Sequence, residues 1–219
     1  MMKDVIILGA GKFAREVYSM ILDCIDDGEH WKFKGFLDDR PNILDDFPHE
    51  GEMLGAPIDY IPKSGDIVIQ ALGEPAPREK FVLELLNKGA HFETLIHPTV
   101  YRGKNVRIGN GCVIAHCNIL TADMRLGDFV NIGAACTLSH GNELEAWVTL
   151  GGGCAIAGEV KIGARTSLGC GVLVAPGLHI GEGACIGIGS VVMRNVCGDA
   201  FMLGNPAKQI GKASERYML

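Results

Sequence analysis

The sequence predicts two folds in one chain: an α/β unit over residues 1–97 and a coiling parallel β-structure over residues 98–219. Three observations point there. Strand-like and helix-like segments alternate as far as residue 97. From Ile108 onward an aliphatic residue recurs every six positions through Val192. Composition divides at the same place: residues 1–100 carry 9 of the 30 glycines and 18 Asp and Glu against 10 Lys and Arg, whereas residues 101–219 carry 21 glycines and 8 acidic residues against 10 basic ones.

In chain order, Asp4–Leu8 reads as a buried strand, Gly9-Ala10-Gly11 as a tight turn, and Phe13 to about Cys24 as an amphipathic helix with Val17, Met20, Ile21 and Cys24 at helical spacing. A second strand follows at Phe33–Leu37, ending in Asp38-Asp39. Asp66–Leu72 forms a third, Pro77–Lys88 a helix, and Phe92–Ile96 a last strand before His97-Pro98. Alternation of this kind is a small Rossmann-like α/β domain. Gly9 and Gly11 at a strand-to-helix turn suit a phosphate at a helix N-terminus. However, Ala14 stands where a dinucleotide fingerprint has its third glycine.

The repeat runs Ile108, Ile114, Leu120, Leu126, Ile132, Leu138, Leu144, Leu150, Ile156, Ile162, Leu168, Val174, Ile180, Ile186 and Val192. About a quarter of the chain is Leu, Ile or Val, so fifteen consecutive hits are not chance. The next position is Gly at 109, 127, 133, 151, 163, 169, 181 and 187, which suits a corner needing positive φ or close backbone approach. Two positions earlier stand Val106, Val130, Val148, Val160 and Val172, with Cys112, Cys136 and Cys154. Six is no helical period. Two short inward positions and a turn make one flat face, and three faces make a coil of a triangular prism, each coil about 4.8 Å above the last. Fifteen hexapeptides then predict five coils, with no long loop leaving them. Cys136 and Cys154 would stack inside as small buried groups.

Composition excludes several classes. Neither half has the basic surplus of a nucleic-acid binder. The apolar run from Val5 to Leu8 is too short for a signal-peptide core or a membrane span, so a cytoplasmic protein is expected. The eight cysteines are then expected to be reduced, and with no C-x-x-C pair no metal is expected.

The repeat resembles the left-handed parallel β-helix of the hexapeptide-repeat acyltransferases. Taken together, GAGKFAREV, GFLDD, ALGEPAPREK and LIHPTV ahead of the repeat are similar to the sugar acetyltransferases typified by the sialic acid O-acetyltransferases and the bacillosamine and perosamine N-acetyltransferases. The resemblance covers essentially the whole chain. It implies that residues 1–97 bind a nucleotide-linked sugar, that residues 98–219 bind acetyl-CoA, and that three chains form a homotrimer with CoA between adjacent prisms. Gly9, Gly11, Asp38 and Arg78 would lie near the acceptor's nucleotide. The family turn usually carries a histidine where this chain has Lys12 and Phe13, so that contact does not carry over.

Acyl transfer from a thioester needs a base for the acceptor's proton and donors for the developing oxyanion. His140, in TLSHG, matches the family's catalytic histidine; His116 and His179 read as surface residues. Gly158 lies 18 residues further, one coil on, where the family uses a glycine amide to bind the thioester carbonyl. Asn131 matches a position near the pantetheine arm. Lys208, in LGNPAKQI, belongs to the motif that closes the prism near the CoA adenine. One departure stands out: Gly141 replaces the usual acidic neighbour of the base, leaving Glu143, Glu145 or a neighbouring subunit to orient the imidazole. An unprotonated amine asks less of a base than a hydroxyl, which favours N-acetylation of an amino sugar. The alternatives are O-acetylation of a sialic acid or another polysaccharide sugar, and a non-catalytic scaffold. A γ-type carbonic anhydrase, also a left-handed β-helix, would need three converging histidines, and the N-terminal domain would go unexplained.

Overall fold

The structure, a computed structural model, describes residues 2–215. The chain divides into two compact units, Met1–Pro98 with Asn110–Val113 and Thr99–Gly109 with Ile114–Leu219.

The first unit is a parallel sheet of β1 (Lys3–Leu8), β2 (Trp31–Leu37), β3 (Glu52–Met53) and β4 (Asp66–Gln70), in the order β3-β2-β1-β4. Two helices accompany it among the described residues, α1 (Lys12–Asp26) and α2 (Pro75–Asn87). Val5, Ile6 and Ile7 of β1 and Ile67, Val68 and Ile69 of β4 are all buried, as expected of parallel strands covered on both faces. The buried face of α1 is Ala14, Val17, Tyr18, Met20, Ile21 and Cys24. Strand β3 had no apolar run to betray it. The strand expected at Phe92–Ile96 is shorter, Leu95–Ile96, with Phe92 making only an isolated bridge to Val68.

The second unit is the left-handed β-helix. All fifteen aliphatic positions of the repeat are the second residues of two-residue strands, from Arg107–Ile108 to Val191–Val192. Each rung pairs in parallel with the rung 18 residues away; Leu138, for example, faces Leu120 below and Ile156 above. Five coils therefore span these residues, as expected. A further rung precedes them: Tyr101–Arg102 pairs with Ile119–Leu120, and was invisible because Arg102 holds the aliphatic position. After the repeat, Ala200–Gly204 adds to Cys185–Ile186 and turns back antiparallel along Ala207–Lys212, ending the stack.

The glycine after each aliphatic residue serves close approach rather than positive φ. A Cβ at Gly133 would lie 2.5 Å from the Gly152 nitrogen of the next coil. The left-handed residues sit two positions further on and include Asn105, Phe129, Trp147 and Glu159. Phe129 and Trp147, one coil apart, stack with ring centroids 4.5 Å apart. Inside the prism, Cys136 and Cys154 are buried, and each thiol lies 3.2 Å from a carbonyl, of Gly151 and Gly169 respectively. Polar residues also occupy the interior. The Asn118 Oδ1 accepts from Cys136 N–H and the Asn142 Oδ1 from Val160 N–H, both at 2.8 Å. No helix among the described residues is long and apolar enough to cross a membrane.

Candidate active site

Every coil of the prism turns a corner between the strand ending at the Leu138 level and the strand beginning at Glu143. Stacking at 18 residues puts Lys104, Ala122, His140, Gly158 and Pro176 in one column of that corner, and Asn105, Asp123, Gly141, Glu159 and Gly177 in the next. His140 is exposed. A Cβ built on Gly158 would stand 2.7 Å from its Cε1 and 2.9 Å from its Nε2, so the imidazole lies flat in the space that glycine leaves. The coils are tied here: Glu159 N–H donates to the His140 carbonyl at 2.9 Å, and Gly141 N–H to the Ala122 carbonyl at 3.1 Å. Among the described residues, neither His140 ring nitrogen nor the Gly158 N–H has a hydrogen-bond partner. A ring with two free nitrogens beside an unengaged amide can accept a proton while the amide meets a developing oxyanion.

The other prism residues are placed less centrally. Asn131 is buried, 3 % exposed, at the start of its strand. Lys208 is exposed on the closing antiparallel strand, opposite Leu203. His116 and His179 are exposed, at a turn and in a strand. Among the described residues, no three His, Cys, Asp or Glu side chains converge to hold a metal ion.

In the first unit, a hollow of about 110 Å³ opens at the carboxyl ends of β1 and β2, lined by Leu8, Gly9, Leu37, Asp38, Asp39, Arg40, Pro57, Leu72 and Phe81. This is where parallel α/β sheets take ligands. Gly9, at φ +101°, donates to the Leu37 carbonyl at 2.8 Å and closes the turn. Asp38 is buried. Its carboxylate accepts from Ala10 N–H at 2.8 Å and from Arg40 Nε at 2.8 Å and Nη2 at 2.9 Å. Burial alone would raise the Asp38 pKa, but these hydrogen bonds outweigh it and hold the carboxyl below its ordinary value. Asp38 is therefore a strut, and what it presents is the exposed Arg40 guanidinium, whose Nη2 lies 3.9 Å from where a Cβ on Gly11 would stand, just before α1.

Arg78 is placed differently from Gly9 and Asp38: it does not line the hollow. It is fully buried and donates to the carbonyls of Leu72 at 3.2 Å and Gly73 at 3.4 Å; desolvation pushes its pKa down to about 10. It ties the loop after β4 to α2. Sequence reasoning missed Arg40, although its place two residues after Asp38 was the available signal.

Residues 4–85 match the PglD N-terminal domain family. No curated protein sequence is significantly similar to the chain. Among solved structures, PerB from Caulobacter crescentus in complex with CoA and GDP-perosamine is 28% identical, over 96% of this chain and 99% of that one, with a TM-score of 0.85. A variant of the perosamine N-acetyltransferase from that organism with one histidine replaced by asparagine, also bound to CoA and GDP-perosamine, is 26% identical over 97% and 99%, at 0.83. The acetyltransferase domain of PglB from Neisseria gonorrhoeae, bound to acetyl coenzyme A, shares the fold at 23% identity over 96% and 100%, at 0.85. Fold and site together define the class: a left-handed β-helical acyltransferase. Within it, the chain is built like the perosamine and bacillosamine N-acetyltransferases, with an N-terminal domain of the PglD type.

Proposed function

We propose that the chain transfers the acetyl group of acetyl-CoA to the amine of a nucleotide-linked amino sugar. The observation that carries this reading is the His140 imidazole lying against Gly158, one coil away, in a chain that matches a CoA- and GDP-perosamine-bound acetyltransferase along nearly its whole length. The acceptor amine attacks the thioester carbonyl carbon. His140 takes the proton released as the N–C bond forms, and the Gly158 N–H donates to the oxyanion. Collapse breaks the C–S bond, and the CoA sulfur leaves as a thiol once it receives that proton. No acyl-enzyme forms, and none of the cysteines acts as nucleophile.

Residues 1–97 hold the acceptor. Gly9, Gly11 and Arg40 face its nucleotide, with Asp38 orienting Arg40. Residues 98–219 hold the donor, with Lys208 toward the CoA phosphates and Asn131 toward the pantetheine arm. Three chains assemble around an uncharged prism face: the outward residues Tyr101, Ile119, Thr137, Ala155, Leu173 and Val191 carry no charge, and all but half-buried Val191 are exposed. Both substrates place the reaction in the cytoplasm, in the supply of sugars for cell-surface polysaccharide.

The test is thiol release from acetyl-CoA, with product mass, across UDP-, GDP- and dTDP-linked amino sugars and free sialic acid. The expected result is a gain of one acetyl on an amino sugar, abolished by His140→Ala. Acetylation of sialic acid alone would replace the acceptor class. CoA binding without any turnover would mean a scaffold.

A further inference from the structure

Resting on that reading, one question remains at the base: Gly141 gives His140 no acidic neighbour, and an imidazole that must gain a proton works better with a carboxylate beside it. The carboxylates around the corner are accounted for one by one. Glu143, on the following strand, pairs with Lys161 at 3.2 Å. Glu145 accepts from the Ala164 N–H at 2.9 Å. Asp123, one coil below Gly141, accepts from Asn105 Nδ2 at 2.9 Å. Glu159 alone is uncommitted: among the described residues its side chain has no hydrogen bond and no ion pair. The nearest cation of the same column, Lys104, lies two coils below His140.

The position of Glu159 follows from the stack. It comes directly after Gly158, against which the imidazole lies, and one coil after Gly141. A Cβ built on Gly141 would stand 3.2 Å from the Glu159 Cγ, so the Glu159 side chain leans over the space a residue-141 side chain would occupy. Gly141 and Glu159 are both left-handed, at φ +70° and +61°, which aligns their Cα–Cβ directions in the column.

We propose that Glu159 is the positioning carboxylate of His140, reaching across from the next coil into the room that Gly141 leaves. The acid of the base pair is thus supplied by stacking rather than by the adjacent residue. Glu159 touches neither substrate. It acts by fixing the ring orientation and by favouring the imidazolium that forms during attack.

The test reads the His140 Cε1–H resonance, assigned by its loss in His140→Asn, together with steady-state kinetics, in wild type, Glu159→Gln and Glu159→Ala/Gly141→Asp. In Glu159→Gln the resonance is expected to shift, because the group beside the ring has changed, and kcat to drop about tenfold, the scale of general-base assistance, with KM for acetyl-CoA unchanged. The double variant, with aspartate in a left-handed position that Asp tolerates, should restore kcat. An unmoved resonance in Glu159→Gln, or a kcat equal to wild type in an active enzyme, would overturn the proposal. The resonance needs no substrate, so it stands apart from the activity reading, which fails instead if wild type acetylates no amino sugar.

Discussion

At the scale of single residues, the informative pairs are those in which one side chain depends on the smallness or the charge of another. Gly158 is such a case. Its Cβ position is occupied by the far end of a movable side chain, so Gly158→Ala would be relieved by rotating His140 away rather than by shifting backbone. Expected are an almost unchanged Tm and a loss of kcat of about 100-fold, because a base displaced by an ångström loses its alignment; equal losses in both would mean that the glycine matters only to packing. Arg40 and Arg78 form a second contrast. Arg40→Ala removes an exposed cation and should raise KM for the nucleotide sugar about tenfold; it also leaves the buried Asp38 carboxylate without its charged donor, so Tm should fall as well. Arg78→Ala takes a fully buried side chain and its charged hydrogen bonds away from the Leu72 and Gly73 carbonyls and should cost about 3 kcal/mol of stability, seen as a lower Tm, with KM intact in the folded enzyme. That His140 and Gly158 are neighbours was legible because 18-residue stacking is arithmetic, while the choice of His140 rested on its match to the family motif. The sequence could not distinguish Arg40 from Arg78, because which arginine reaches the surface depends on how α2 packs.

At the scale of elements, legibility follows from how many residues carry the signal. The prism was readable from Ile108 to Val192 because every rung must put an aliphatic residue inside. The Tyr101–Arg102 rung was hidden because Arg102 breaks the aliphatic register there. The buried Asn118 and Asn142 were also unannounced, since they complete the interior by hydrogen bonding and not by hydrophobicity. In the α/β unit, β4 carries a polar anchor at its first residue. Asp66 is buried, and burial works against its ionised form, but Lys34, Tyr60 and the Lys63 N–H at 2.8 Å all donate to it and hold its pKa below the ordinary value. A carboxyl depressed on folding stabilises the native state above its unfolded pKa, near 3.9, and that stability disappears as pH falls through the lower folded value. Melting temperature should therefore fall steeply below about pH 4 in wild type. In Asp66→Asn the Tm at pH 7 should be lower and its acid dependence shallower; parallel curves for the two proteins would remove Asp66 from the acid response.

At the scale of the whole molecule, the prism's faces differ in what they offer another chain. One carries the outward column Arg107, Arg125, Glu143, Lys161 and His179, in which Glu143 and Lys161 are paired. Such a ladder is satisfied by water. The face before it, ending at the His140 corner, presents Tyr101 at 62 %, Ile119 at 43 % and Leu173 at 44 % exposure with no charge between them. A contiguous uncharged face of this kind is costly to leave in water, which is why we propose it as the contact between chains. Because it borders the His140 corner, assembly and catalysis should be linked. Wild type is expected to sediment as a particle of three times the 23.4 kDa chain. Leu173→Glu places a charge at the centre of the contact, and burying it unpaired would cost several kcal/mol, enough to yield monomers at micromolar concentration. Those monomers should keep the wild-type circular dichroism, since Leu173 points away from the prism core. They should also keep the His140 Cε1–H resonance, which is set within one chain, while losing acetyl transfer. A Leu173→Glu protein that stayed trimeric and active would move the interface to another face, and a wild-type monomer with full turnover would show that one prism completes the site alone.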